Sequence, residues 1–413
     1  MRHTSLPHTG SDLEAWLQAL ASRRQFAEYL RPTSNAREEA GYGYTLSEIC
    51  QQPLLWTDTA RRVVENRELL LEVMEGARWI AITGSGSSQY AGECVHPVLQ
   101  AELGLPVFTA GGGWLLLEGA RGLPPGQAGL LVSLARSGES PESVAVVEQY
   151  LELAPWVKHL VITCNADGAL ATRFRGNRRV TVTVLDSRTN DRSLVMTSSF
   201  TNMALAARSL GLLEESGAVG RLAEDLAEAG KHLLSHDSTR IESVARGPFR
   251  RAVFLASGCR FGAARESALK MLEMNAGCIP TMAETYLELR HGPMCLVNEE
   301  TLVVCFLACD ALTRAYEEDL IAELRRKEIG ARLLIVGEHV PAGLLRADDV
   351  AIEIPGQAAL GDDNVAVLDV MVGQLLGFFR CLAGGLRPDM PSSGVISRVV
   401  NEFTIRRRQG EAV

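Results

Sequence analysis

Long apolar runs are missing from this 413-residue chain: none reaches 18 uninterrupted apolar residues, and the opening MRHTSLPHTGSD has no apolar core of the kind that begins a signal peptide. No membrane partner is therefore expected. The nine cysteines show no CxxC spacing, and Cys164, Cys305 and Cys309 sit in apolar runs, where a thiol acts as a small hydrophobe. A disulfide scaffold is not indicated, and a cytoplasmic, reduced setting is expected. There is no HExxH pair, so no metal is expected; no GxxxxGK[ST] loop for nucleotide hydrolysis; and no GxSxG elbow for a serine hydrolase. A basic excess is absent too. The net charge of -9 and pI near 5.5 argue against nucleic acid as a partner. With 46% hydrophobic and 22% charged residues, the composition is that of a globular protein, and the length suits two domains with an extension.

Four β-branched runs follow one another in the first half: WIAITG (79–84), LLVSLA (130–135), LVIT (160–163) and VTVTV (180–184). Helix-compatible stretches between them predict βα units on a parallel sheet. The series returns as AVFLASG (252–258), LVVCFLA (302–308), LLIVG (333–337) and VAIEI (350–354), with a nearly constant displacement. A fixed offset of this kind predicts two copies of one α/β domain, doubly wound and flavodoxin-like. The expected organisation is a helical extension over 1–45, a first domain over 46–218, a helical bridge over 219–246, and a second domain with its tail over 247–413. Ser11-Asp12-Leu13-Glu14 reads as a capping box opening a helix to about Leu30, and Thr45-Leu46-Ser47-Glu48 as another; RPTSNAREEAGYG between them reads as a polar linker.

Open parallel sheets bind ligands beyond the carboxyl ends of their strands. There the first copy carries Gly84-Ser85-Gly86-Ser87-Ser88 and Ala135-Arg136-Ser137-Gly138-Glu139-Ser140-Pro141, while the second has Ala256-Ser257-Gly258-Cys259-Arg260-Phe261 and Cys309-Asp310-Ala311-Leu312. Strand, hydroxyl-rich loop and helix start together form an anion cradle, with Gly138 admitting close backbone approach and Ser140 before a first-turn proline. A plain capped turn fits the same residues. The loops lack dinucleotide-fingerprint spacing, so a monophosphate is the better fit, and no cofactor is expected.

The second copy contributes Glu266, Lys270 and Glu273, whose spacings of four and three place them on one helix face. Such a stripe is either solvated or a proton-handling group whose carboxylate is tuned by burial. His291 follows in Arg290-His291-Gly292-Pro293, on a loop, and histidine is the residue type suited to proton transfer on a sugar oxygen. Phosphate-type loops on one copy and acid–base groups on the other suggest chemistry on a sugar phosphate: a carboxylate can carry a proton between adjacent carbons, and a histidine can open the ring.

GSGSSQYAG, ARSGESPES, TNDRSLVMTSSFTNM and ESALKMLE…ELRHGP, with TLSEICQQPLLW upstream, together resemble the double sugar isomerase (SIS) domain family over residues 45 to 405. Within it the chain is similar to the AgaS type, the galactosamine-6-phosphate deaminases/isomerases, also described as tagatose-6-phosphate ketose/aldose isomerases. The resemblance implies two tandem SIS domains. By similarity to the isomerase half of glucosamine-6-phosphate synthase, it implies a phosphate site with Ser88, Ser137 and Ser140, within a substrate-binding set of Gly86, Ser87, Ser88, Arg136, Ser137, Gly138 and Ser140. It further implies that Thr197, Ser198 and Ser199 line the sugar, that Glu273 shuttles the proton between C1 and C2, and that Glu266 and Lys270 flank it. His291 matches a ring-opening histidine donated across a homodimer interface. Departures are clear: Ala135 replaces the family's first loop serine, Arg136 follows it as either an anion support or a partner for an acid, and the C-terminal tail has no lysine. With no glutaminase domain, ammonia release or plain isomerisation is implied rather than amino-sugar synthesis. The alternatives are a glucosamine-6-phosphate deaminase, an isomerase of nitrogen-free sugar phosphates, and a non-catalytic sugar-phosphate sensor.

Overall fold

Each β-branched run forms a strand, and each sheet adds one more. The computed structural model describes residues 8–330, 332–392, 394–399 and 404–406. The first sheet comprises β1 (Ile80–Gly84), β2 (Val107–Gly111), β3 (Gly129–Ala135), β4 (Val157–Thr163) and β5 (Val180–Val184) in the order β2-β1-β3-β4-β5. The second comprises β6 (Arg251–Leu255), β7 (Thr281–Glu284), β8 (Thr301–Phe306), β9 (Arg332–Gly337) and β10 (Val350–Glu353) in the order β10-β9-β8-β6-β7. All pairings are parallel, and both sheets have the flavodoxin-like 2-1-3-4-5 order. The strands the sequence did not reveal, β2 and β7, are edge strands; β7 is short and only partly buried throughout, so it lacks the continuous apolar run of a central parallel strand.

The extension differs from its sequence reading in several places. Helix α1 (Gly10–Ser22) is capped by Thr9, whose N–H donates to Asp12 Oδ2 at 2.6 Å, so the capping box sits upstream of Ser11. The helix does not run on to Leu30. It breaks at Arg23, and α2 (Arg24–Leu30) follows. The supposed linker holds α3 (Ser34–Ala40), capped by Thr33. Helix α4 (Gly43–Glu65) starts before Thr45, crosses the boundary drawn at 45/46, and is held from a distance: Asp389 Oδ1 accepts the Thr45 N–H at 2.7 Å and its hydroxyl at 2.8 Å. Glu48 points inward and caps nothing. Helix α5 (Arg67–Met74) leads into β1.

Helices α6 (Ser87–Glu93), α7 (His96–Leu103), α8 (Gly112–Glu118), α9 (Pro141–Leu153), α10 (Ala169–Thr172) and α11 (Ser198–Arg208) belong to the first copy. Helices α12 (Ala218–His236) and α13 (Ser238–Ala245) bridge the copies; α14 (Arg260–Met274), α15 (Tyr286–Leu289), α16 (Ala311–Arg326), α17 (Gln357–Leu360) and α18 (Ala366–Ala383) belong to the second. By length and composition α18 could cross a membrane, but 83% of it is buried inside the protein, where its Asp369 pairs with Arg260 at 2.7 Å. It is a core helix, and α14 packs along it.

The other side of α14 meets α6, which brings the two copies together. A Cβ on Gly262 would lie 2.6 Å from Cys94 N and 2.8 Å from Tyr90 O, both backbone atoms that cannot swing aside. Beside this contact Arg265 pairs with Glu93 at 2.5 Å and lies over the Tyr90 ring. Gly262→Ala should therefore destabilise by about 1–3 kcal/mol through overpacking, even though alanine is the better helix former. A urea midpoint at or above wild type would contradict this close contact.

Candidate active site

A cavity of about 480 Å³ opens beyond the carboxyl ends of β1 and β3, the switch point of the first sheet. The first loop turns at Gly86, whose φ of +56° favours glycine, and a Cβ on Gly84 would strike Ser88 at 2.6 Å. These two glycines fold the start of α6 back onto the strand end, setting Ser85, Ser87 and Ser88 in the cavity wall. After β3, Gly138 takes φ +64° and Asn165 Nδ2 holds the Ser137 carbonyl at 2.9 Å. The Ser137 hydroxyl accepts the Glu139 N–H at 3.3 Å, which leaves its own proton to donate. Ser140 sits at the N-cap of α9, with Pro141 in the first turn, yet its side chain makes no capping bond. Its hydroxyl is thus left for the cavity it lines, along with Ser143.

Because α14 lies against α6, the second copy closes the same cavity with Leu269, Lys270 and Glu273. Lys270 Nζ stands 2.5 Å from Glu273 Oε2, 3.2 Å from Glu266 Oε1 and 3.2 Å from Ser87 Oγ. The three charges share a helix face as the spacing predicts, but their settings differ. Glu266 is fully buried and Lys270 nearly so, whereas the Glu273 side chain keeps 23% of its exposure and faces the cavity. Burial pushes Glu266 up to about 7, only partly opposed by Lys270. Burial would also depress Lys270, but Glu266 and then Glu273 outweigh it and the net shift is upward, so the ammonium persists at neutral pH. The result is a carboxylate open to the cavity, oriented by a fixed cation.

Arg136 pairs with no acid. Its Nη1 donates to the carbonyls of Ser193 (3.2 Å) and Leu194 (3.0 Å), and its Nη2 to that of Arg398 (2.8 Å); among the described residues it forms no ion pair. Burial draws it below the usual guanidinium range, opposed in part by the nearby Asp191 and Glu48 carboxylates, and its side chain lines the cavity. The tail returns here: Val395–Arg398 line the cavity, and Arg398 donates to Asp191 O at 2.6 Å and Asn190 Oδ1 at 2.5 Å.

Thr197, Ser198 and Ser199 do not line this cavity; the wall on their side is Leu194 and Met196. The buried Asp191 carboxylate accepts the N–H of Thr197 (2.8 Å), the N–H of Ser199 (2.9 Å) and the hydroxyls of Ser198 (2.6 Å) and Ser199 (2.5 Å), while the buried Thr197 hydroxyl has no hydrogen-bond partner among the described residues. A buried carboxylate needs such donors. The Ser198 and Ser199 hydroxyls thus hold the segment that positions Arg136.

Glu48, on α4, braces that segment as well. It accepts the N–H of Arg192 at 2.5 Å and of Ser193 at 3.2 Å, and contacts the Ser193 hydroxyl, which reaches Val195 O at 3.0 Å. Burial, then the nearby Asp191 charge, push Glu48 up to about 8. An unfolded glutamate titrates near ~4.3. Between these values the folded chain holds the extra proton, so Glu48's contribution to stability falls as pH rises through that window. Glu48→Gln should remove this component: unfolding free energies of wild type and variant, compared from pH 5 to 9, should diverge against wild type as pH rises. Parallel curves would contradict the placement.

His291 is exposed, follows α15 and lies outside the cavity. The expectation that no histidine pair has HxxxH spacing is wrong: His232 and His236 on α12 form one, with rings stacked at 4.2 Å. Among the described residues no group of three or more His, Cys, Asp or Glu side chains gathers to hold a metal. Ser85 and Ser143 belonged to stretches already marked by their hydroxyls. Glu48, Leu194 and Met196 fell within quoted stretches but were given no role in the site, because their roles depend on chain segments far apart in sequence.

No family model matches the chain. It is 38% identical over 372 residues to the AgaS protein of Streptomyces coelicolor, across 88% of this chain and 95% of that one. To the D-galactosamine-6-phosphate deaminase AgaS of Escherichia coli it is 34% identical over 370 residues, with the same coverage of 88% and 95%. The crystal structure of tagatose-6-phosphate ketose/aldose isomerase from Escherichia coli superposes with a TM-score of 0.81 at 32% identity, over 89% of this chain and 97% of that one. A likeness of this extent is that of a family member: the chain belongs to the AgaS family of double-SIS proteins.

Proposed function

We propose that the protein is an amino-sugar-phosphate deaminase/isomerase that converts galactosamine 6-phosphate and water to tagatose 6-phosphate and ammonia. The observation that carries this reading is a single cavity walled by hydroxyl loops of the first copy and by Lys270 and Glu273 of the second. The 6-phosphate lies against Ser88, Ser137 and Ser140, with Arg136 supplying charge. In the open-chain form, Glu273 takes the C2 proton; the C–H electrons form the C1–C2 double bond, and the aldehyde oxygen gains a proton, giving an enolamine. Return of the proton to C1 moves the double bond to C2–N, and water then displaces ammonia from the ketimine. Lys270 keeps Glu273 aimed along this path.

His291 would serve ring opening from a second copy of the chain, in a homodimer; its exposure outside the cavity supports this arrangement. A sensor would not need a carboxylate held open to the cavity. The choice of substrate is supported by the names of relatives at 31–34% identity, and its test is kcat/KM for galactosamine 6-phosphate against glucosamine 6-phosphate. A preference for the glucosamine epimer would overturn the C4 assignment. A second reading, interconversion of tagatose 6-phosphate with its aldose, is favoured by the isomerase that superposes on the chain. It uses the same proton transfer and would appear as aldose formed from tagatose 6-phosphate without nitrogen.

A further inference from the structure

The second copy repeats the strand ends of the first, and something already occupies them. After β8 the chain runs Leu307-Ala308-Cys309-Asp310 into α16, in the place where β3 runs through Ser137 and Ser140 into α9. Asp362, from the loop between α17 and α18, sets its carboxylate there. The Cys309 N–H donates to it at 2.8 Å (Oδ1) and 2.9 Å (Oδ2), and the Asp310 N–H at 2.9 Å (Oδ2). Arg260 opens α14 where Ser87 opens α6, and its Nη1 lies 3.4 Å from Asp362 Oδ1. Arg260 is 99% buried by its surroundings, with 1% of its side chain exposed, and its remaining donors go to Asp369 at 2.7 and 2.8 Å and to Leu307 O.

Backbone N–H groups and a buried guanidinium converging on one carboxylate are the donors that a small oxyanion takes at such a loop. We infer that the second sheet retains an oxyanion cradle liganded from within by Asp362, which closes it to free anions and leaves each chain one site for phosphate instead of two. The loop after β8 has no hydroxyl side chain and the one after β6 keeps only Ser257, while a tethered carboxylate fills the place: a ligand on the same chain competes at a high effective concentration. By bonding to the loop after β8 and to Arg260 at the head of α14, Asp362 also ties the start of the helix bearing Lys270 and Glu273. The count of one rests on the proposed function of the first cavity, whereas closure by Asp362 concerns other residues and is read as the difference in stoichiometry between variant and wild type.

The test uses the full chain with inorganic phosphate as probe. Calorimetric titration should give one equivalent per wild-type chain and two for Asp362→Ala, the second lost on adding Arg260→Met. Asp362→Ala should also lower the thermal midpoint by about 5 °C in phosphate-free buffer, as removal of a charged hydrogen-bond acceptor implies, and saturating phosphate should restore more of it than wild type gains. Asp362→Asn, which keeps the volume and one acceptor, should show a smaller fall. Two equivalents on wild type, or a folded Asp362→Ala that binds no more phosphate than wild type, would overturn the inference. If Asp362→Ala does not fold, the wild-type stoichiometry and a midpoint for Asp362→Asn equal to wild type remain able to refute it.

Discussion

Glu273→Gln should lower turnover of galactosamine 6-phosphate by about 10²–10⁴-fold while leaving KM within a few-fold of wild type, the range expected when a positioned proton carrier is removed. Among the described residues lining the cavity, Glu273 is the sole carboxylate. Glutamine keeps its size and an acceptor oxygen but cannot carry the C2 proton. The fold should survive the change, because Lys270 retains Glu266 at 3.2 Å as its counter-ion and Glu273 is itself partly exposed. A loss confined to kcat therefore marks an interaction made in the transition state. If kcat stayed at the wild-type level, the carboxylate would be a bystander and proton transfer would have to be assigned elsewhere.

Ser137→Ala combined with Ser140→Ala should act on the other parameter. Hydrogen bonds to a charged group are worth roughly 1.5–3 kcal/mol each, so removing two hydroxyl donors to a phosphate should raise KM by about 10²-fold or more. Structural cost is small: Ser140 makes no capping bond, and the Ser137 hydroxyl accepts one N–H at 3.3 Å. The same variant should lose inhibition by inorganic phosphate, whereas kcat at saturating substrate should change far less. Unchanged affinity would return 137–143 to the role of a capped turn.

What the sequence disclosed follows from how local each determinant is. Central parallel strands such as β3, buried along its whole length with Ser133 its one polar side chain, carry mostly apolar runs and are visible without neighbours. The edge strands β2 and β7 are half-exposed and have no such run. Helical periodicity placed Glu266, Lys270 and Glu273 together, since three residues within two turns need only the helix. It could not tell which carboxylate faces the cavity; that depends on the packing of α14 between α6 and α18. The serines at 198 and 199 show the limit most plainly. A hydroxyl-rich stretch looks the same whether its partner is a sugar or the buried Asp191, and here it is Asp191. Arg136 posed a choice between anion and acid, and its partners are carbonyls supplied by 193–194 and by the tail. Glu48, remote in sequence and read only as part of a helix cap, braces that arrangement from α4.

The most direct measurement is the product balance from galactosamine 6-phosphate and purified protein without added metal, with ammonia and ketose 6-phosphate assayed in the same samples. The account predicts that both appear together in equal amounts, catalytically, and that both vanish with Glu273→Gln. A folded protein that binds the sugar phosphate yet releases neither product, or that forms ammonia without ketose, would contradict it.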